Sequence, residues 1–445
     1  MAVETSLLAK NRTHVRFLVL LIIFIITAVN YADRVTLSIA GTQVSKELGL
    51  DVVNLGQIFS AFGLAYLVMQ IPGGWLLDKF GSIKVYTYSL FFWSLFTLLQ
   101  GFVGGLSVSA AVISLFMLQF LLGFAEAPAF PANARIVAAW FPAKERATAS
   151  SIFNAAQYFS LAIFSPFLGW LVYAWSWKHV FIIMGIIGFI LTIVWTKYVH
   201  NPFESPRVSR EELDYIEQGG GVVNMDQKKG AARQGPKWNY VKQLLTSRMM
   251  LGIFFGQYFL NTITWFFLTW FPIYLVQEKG MTIIKVGIIA SIPAICGFLG
   301  GISGGIVSDL LLKRGFSLTF ARKAPIVFGM LLASSMILCN YTNDTVVVVA
   351  LMALAFFGKG FGALGWPVIA DTAPKEVIGL CGAIFNMFGN VASIVTPLLI
   401  GYLVKGLHSF NAALIFVGCS ALMSMLCYLL VVGKIQRFEL KPIPE

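Results

Sequence analysis

Residues 17–41 read FLVLLIIFIITAVNYADRVTLSIAG, an apolar run interrupted at its middle by Asn30-Tyr31-Ala32-Asp33-Arg34. A run of this length crosses a bilayer, which takes roughly 20 helical residues. A carboxylate and a guanidinium at membrane depth cost about 3 kcal/mol each or more. Such groups face a water-filled path or a partner, and they mark ion and substrate pathways. Side chains of neighbouring helical residues point about 100° apart, so Asp33 and Arg34 cannot pair face to face with each other. Each needs its own partner or its own water. The alternative, that both merely neutralise something local, is the weaker reading.

The rest of the composition agrees with a membrane setting. The chain has 445 residues, 58% hydrophobic and only 12% charged, against about 25% charged in a soluble domain. It is expected to be an all-α polytopic membrane protein. The net charge of +12 raises the question of nucleic acid, and the placement of the basic residues answers it below. Cys296, Cys339, Cys381, Cys419 and Cys427 fall in or beside apolar runs without metal-ligand spacing. They read as buried small apolar residues, with no metal site and no disulfide framework. No cleavable signal pattern precedes the first span, which is expected to remain as an anchor.

Spanning runs lie at about 16–40, 53–77, 85–105, 108–132, 149–172, 179–198, 249–276, 286–312, 324–340, 346–370, 377–404 and 411–433. This predicts twelve helices in two six-helix bundles, 1–198 and 249–445, joined by a polar stretch at 199–248. If both termini and the polar stretch share one side, that side holds 25 of the 32 Lys and Arg residues. The opposite side holds Lys46, Lys178, Lys279, Lys285 and Lys405. The excess puts both termini in the cytoplasm, and it accounts for the positive charge with no nucleic-acid partner. SREELDYIE at 209–217 has the pattern of a short amphipathic helix with charge on its outer face; the stretch as a whole reads as a solvated linker.

The halves repeat. Gly73-Gly74-x-x-x-Asp78 recurs as Gly304-Gly305-x-x-x-Asp309, Lys144-Glu145 as Lys375-Glu376, and Ile152-Phe153-Asn154 as Ile384-Phe385-Asn386, at offsets of 231 or 232. Each match alone is weak, but three in order at one offset are not. Six helices per half give the halves the same orientation, the parallel arrangement of transporters that rock two bundles around a central site.

The first repeat extends through Gly74, Asp78, Lys79, Gly81 and Lys84, and so resembles the signature loop of the major facilitator superfamily. As the resemblance implies, Asp78 would bond a facing helix terminus, and breaking that contact would gate the cytoplasmic side. NYADRVTLSIAG, FSAFGLAYLVMQIPGGWLLDKFGS, LGFAEAPAFPANARIVAAWFP and FFGKGFGALGWPVIADTAPKE resemble the anion:cation symporter branch. Within that branch they are most similar to bacterial proton-coupled importers of the hexarates galactarate and glucarate. The likeness covers nearly the whole chain.

Glu126 sits in LLGFAEAPAF between apolar residues and ahead of Pro128 and Pro131. So apolar a setting favours the neutral carboxyl until a cation or water reaches it, the behaviour of a proton carrier. The alternative is a glutamate that bonds backbone amides freed by the prolines. The resemblance implies proton coupling by Asp33 and Glu126. Arg34 suits a substrate carboxylate, which its planar fork grips bidentately; the alternative is a counter-ion to Glu126 or Asp33. Lys359 interrupts AFFGKGFGALGW about 18 Å from either end of its run, too deep to snorkel out. A second buried cation in the opposite half suits a diacid.

The resemblance also places Tyr31, Tyr66, Gln157, Trp366 and Asn386 around the substrate, although single aromatic residues in spans more often pack or sit at interfaces. Asn261 is a further polar candidate. The branch has an arginine where this chain has Gln119, two turns before Glu126 on one helix face. Without it, desolvation is expected to dominate at Glu126 and coupling to be impaired or biased.

These readings converge on a monomer in the bacterial inner membrane that imports sugar acids (hexarates, or glycerate) with protons and without a cofactor. Its rivals are a symporter for another organic anion such as a sugar monoacid, and a non-transporting sensor of the same fold. An enzyme is disfavoured: no nucleophile–base set, metal spacing or phosphate loop appears. The four histidines, His14, His179, His200 and His408, lie near span ends or in loops.

Overall fold

The structure, a computed structural model, describes residues 13–143, 145–224, 238–374 and 377–440. Lys144, Lys375 and Glu376, one of the three repeat matches, lie outside the described residues. The helices are α1 Val15–Leu48, α2 Val52–Phe80, α3 Ser82–Gln100, α4 Val108–Glu126, α5 Ala129–Trp140, α6 Arg146–Ala174 and α7 Trp177–Tyr198. The central stretch contributes α8 Arg210–Gln218 and α9 Trp238–Thr246. Then follow α10 Arg248–Thr269, α11 Phe271–Gln277, α12 Ile283–Lys313, α13 Leu318–Ala333, α14 Thr345–Phe361, α15 Gly365–Thr372, α16 Ile378–Leu407 and α17 Asn411–Leu426.

Among the described residues, 11 helical stretches are long and apolar enough to cross a membrane, with α4–α5, α13 with its 3-10 extension, and α14–α15 each counting as one. The remaining crossing is α3, 19 residues packed along α7. Among the described residues, these stretches and α3 together are consistent with the twelve crossings expected. Most ends lie close to the expected runs, but α1 continues to Leu48, well past its expected end. Its last turn remains helical because Glu47 accepts from Trp177 Nε1 at 2.6 Å and pairs with Lys178 at 2.6 Å. It stops at Gly49, whose φ of 68° suits a residue without Cβ. Asp51 then opens α2 with a capping box shared with Asn54.

Residues 13 and 440 mark one face of the bundle, here the proximal face; the other is the distal face. On the distal side the two halves are in close contact. A Cβ on Gly56 of α2 would sit 2.8 Å from the Pro397 carbonyl of α16, and one on Gly287 of α12 would sit 2.8 Å from the Ser165 carbonyl of α6. Such backbone approach is what small residues permit in membrane helices. Ser38 donates to the Thr269 carbonyl at 2.5 Å, Trp270 Nε1 donates to that of Pro397 at 3.1 Å, and Lys405 reaches Asp51 at 2.8 Å. On the proximal side, a Cβ on Gly74 or Gly305 would meet open space. The close backbone approaches between the halves described here lie on the distal side.

The solvated linker needs correction. Ser209 caps α8 through the Glu212 amide, and α8 turns Glu212 and Ile216 inward until both are fully buried. Glu212 pairs with Arg16 at 2.9 Å and accepts from Thr13 Oγ1 at 2.7 Å and the Val15 amide at 2.9 Å. It thereby satisfies amides at the start of α1 that lack an intrahelical partner. Arg16 also pairs with Glu145, which in turn accepts from Tyr215. Arg210, Asp214 and Glu217 face outward as expected of this helix, while Glu212 turns inward as a clamp on the first half. At the other end of the chain, Ile435, Arg437 and Phe438 bond Thr319, Ala373 and Thr372 of the second half. The cysteines are free, but Cys419 is exposed rather than buried.

Candidate functional site

The site begins where α4 breaks. Glu126 is the last residue of α4, and Pro128 starts the turn into α5. One turn earlier, a Cβ on Gly123 would lie 2.2 Å from the Phe62 carbonyl of α2. Only glycine permits that approach, and it carries Glu126 toward α1 and α2. There Arg34 Nε donates to Glu126 Oε2 at 3.1 Å, with the arginine side chain 9% exposed and the glutamate 0%. The guanidinium also lies over the rings of Tyr31 at 4.7 Å, Phe62 at 4.9 Å and Tyr66 at 5.2 Å. Three aromatic faces and one carboxylate therefore share a charge that lipid would not tolerate. Asn30 lies beside the same carboxylate, whose Oε1 has no hydrogen-bond partner. That Glu126 bonds Arg34 answers the backbone-capping alternative.

Asp33 faces elsewhere, as the geometry of adjacent helical residues requires. Its Oδ2 accepts from Trp93 Nε1 of α3, and Oδ1 is buried without a partner. Asp33 and Glu126 are electrostatic neighbours but not hydrogen-bonded to each other. Gln119 does not reach Glu126; its Nε2 donates to Gln100 Oε1 of α3 at 2.9 Å, both side chains buried. Glu126 keeps one cation, Arg34, while its burial stands as expected, and Gln119 contributes no charge to it.

The second half faces this cluster with one cation. Lys359 lies in the last turn of α14, close to a break at Gly362–Leu364, much as Glu126 ends α4. The expectation of an unbroken span around it is corrected by that break, but its depth stands, for Lys359 is 5% exposed. Its Nζ lies 5.6 Å from the ring of Tyr158 and 5.3 Å from that of Phe356. No carboxylate pairs with it among the described residues. Tyr158 in turn is an electrostatic neighbour of Tyr31, which links Lys359 through two rings to Arg34.

Of the other expected residues, Asn386 of α16 donates to Gln70 of α2 at 3.4 Å, a polar contact between halves. Trp366 of α15 packs edge-on against Phe385 at 5.1 Å and keeps 54% of its surface exposed. Gln157 donates to the Asn154 carbonyl of its own helix at 3.1 Å, so the structure does not bring its amide nitrogen to the charged cluster. Asn261 accepts from Gln257 at 3.4 Å.

In the signature loop, Gly81 has φ 85° between α2 and α3. Lys79 lies over Trp75 at 4.6 Å, and Lys84 is exposed. Asp78 bonds Arg135 of α5 rather than a facing helix terminus, and Arg135 also donates to Ser82 at 3.0 Å. Asp309 also faces an arginine, Arg322 at 3.6 Å, but that arginine comes from α13 rather than from the helix that corresponds to α5, and it pairs with Asp371 at 2.8 Å. Sequence reading missed Trp93, Gln100, Phe62, Tyr158 and Gln70. A buried indole needs an acceptor, but nothing in FFWSLF says which.

Comparison with known proteins adds the context. The family model described as Major Facilitator Superfamily matches residues 23–322 and 315–444. The chain is 73% identical over 434 residues to the "Probable galactarate/D-glucarate transporter GarP" of Escherichia coli (strain K12), covering 97% of this chain and 98% of that one. It is 57% identical over 433 residues to the "Probable galactarate/D-glucarate transporter GudP" of Bacillus subtilis (strain 168), covering 97% and 95%. It is 42% identical to the "D-galactonate transporter" of Escherichia coli O6:H1 over 95% and 96% of the two chains. Among solved structures, a bacterial homolog of the human lysosomal transporter Spinster, inward-facing and unoccupied, superposes with a TM-score of 0.69 at 16% identity, covering 94% and 95%. A D-xylose-proton symporter does so at 0.68 and 15%, covering 94% and 98%.

Proposed function

Because the chain belongs to the major facilitator superfamily, we propose that it imports sugar acids, foremost galactarate and D-glucarate, by proton symport with alternating access. The Arg34–Glu126 pair carries this reading. A carboxylate arriving at Arg34 competes with Glu126 for the guanidinium, and a displaced buried carboxylate is stable only if it takes a proton. Substrate and proton then enter together. Asp33, held by the Trp93 indole and electrostatically linked to Glu126, is the second proton site. A dianion moving against a negative-inside potential needs at least two protons to avoid electrical opposition.

The excess of basic residues on the proximal face supports a cytoplasmic side there, and the bacterial relatives support an inner-membrane location; with that orientation, closure of the distal face is the inward-facing state. The site is built from both halves of one chain, which suits a monomer. The relatives named for galactarate and D-glucarate support the substrate class. In proteoliposomes, Glu126→Gln and Asp33→Asn are each expected to abolish accumulation driven by a pH gradient while retaining exchange of substrate across the membrane. Wild-type accumulation in both variants overturns the proposal.

A further inference from the structure

We propose that Lys359 receives the second carboxylate of a dicarboxylate whose first lies on Arg34, and that this makes the carrier prefer diacids to monoacids. The inference rests on the transport reading above and adds a selectivity to it.

A lysine at membrane depth is costly and is normally paired. Arg34 has Glu126, Arg135 has Asp78, and Arg322 has Asp309 and Asp371. Lys359 is 5% exposed, with ring faces for company and no carboxylate among the described residues. Those rings orient its ammonium without neutralising it. It does not reach an interface, since α14 begins about 20 Å away at Thr345 and the chain continues beyond the break into α15. Its neighbour Tyr158 belongs to the first half and lies in the electrostatic reach of Tyr31, over which Arg34 is stacked. The two cations therefore stand on opposite halves with a pair of tyrosines between them. A polyol with a carboxylate at each end matches that order: anion, hydroxyls, anion.

Charge balance gives the preference. With Asp33 and Glu126 protonated, the loaded site holds two cations, Arg34 and Lys359. A dianion brings it to zero, whereas a monoanion leaves one uncompensated positive charge out of water, which costs heavily. Contact with both cations also ties a diacid to both halves at once, as moving one half against the other requires.

The test is uptake into proteoliposomes driven by a pH gradient, with glucarate and gluconate measured separately. Lys359→Asn is expected to lower the ratio of glucarate to gluconate uptake at least tenfold, and Lys359→Arg to restore it. A merely structural lysine would lower both uptakes together and leave their ratio unchanged, and that result overturns the inference. If Lys359→Asn does not fold, the wild type decides: glucarate amidated at one end should compete for glucarate uptake at least tenfold more weakly than glucarate itself. Equal competition overturns the inference. Failure of the wild type to accumulate either acid instead overturns the transport reading.

Discussion

Arg34 is held by one carboxylate and three rings, so its replacements separate charge from shape. Arg34→Lys keeps the charge but loses the planar fork, and is expected to raise the KM for glucarate at least tenfold with a smaller fall in kcat. Arg34→Gln leaves Glu126 buried without its cation, so the carboxyl should hold its proton and uptake should be lost. Gln119→Arg would break the bond to Gln100 and place a second guanidinium near Glu126. It is expected to shift the pH dependence of uptake, and an unchanged profile would show that position 119 has no hold on the carboxylate. The charged members of this site were legible in the chain because lipid makes any buried charge conspicuous. Trp93 and Gln100 were not. An indole or an amide in an apolar run carries no sign of direction, and their partners lie 60 and 19 residues away.

At the scale of elements, the breaks after Glu126 and Phe361 are written in proline and glycine, and the spans in their hydropathy. The docking of α8 was hidden, because an amphipathic pattern does not say whether Glu212 turns to water or to Arg16. Glu212→Ala is expected to destabilise the protein by about 1.5–3 kcal/mol, since it takes one of two carboxylates from a buried arginine and opens the first-turn amides of α1. A thermal melt in detergent reads this as a drop in Tm; a Tm equal to wild type would mean that α8 is not a clamp. The distal glycines make an opposite kind of test. Gly56→Val puts a side chain where the Pro397 carbonyl lies 2.8 Å from a Cβ, so it should hold the halves apart there. Spin labels on the distal ends of α2 and α16 should report longer separations than in the wild type.

For the whole molecule, Asp51 and Lys405 tie the two halves across the distal face. Burial alone would raise the Asp51 carboxyl, but bonds from Lys405 and the Asn54 and Val53 amides outweigh it and hold the carboxyl below its ordinary range. A lowered folded value means the tie is intact above the ordinary carboxylate range and is lost only as the pH falls through that lowered value. Asp51→Asn should therefore raise the distally open fraction by less than about fivefold, as an exposed pair allows, and equally at all pH values between about 5 and 8. A spin-label distance between the halves, followed across that range, checks both statements. Twelve crossings and an internal repeat could be read from the chain; which face is shut could not, since both states use the same helices. The inward turn of α8 reaches beyond stability. Every contact described for residues 209–222 goes to the first six crossings, and the second six are finished off by the chain's own tail. A polypeptide cut between Asn224 and Trp238 would thus yield two pieces, each already complete, and co-expression of the pair should regenerate uptake without any peptide bond between them.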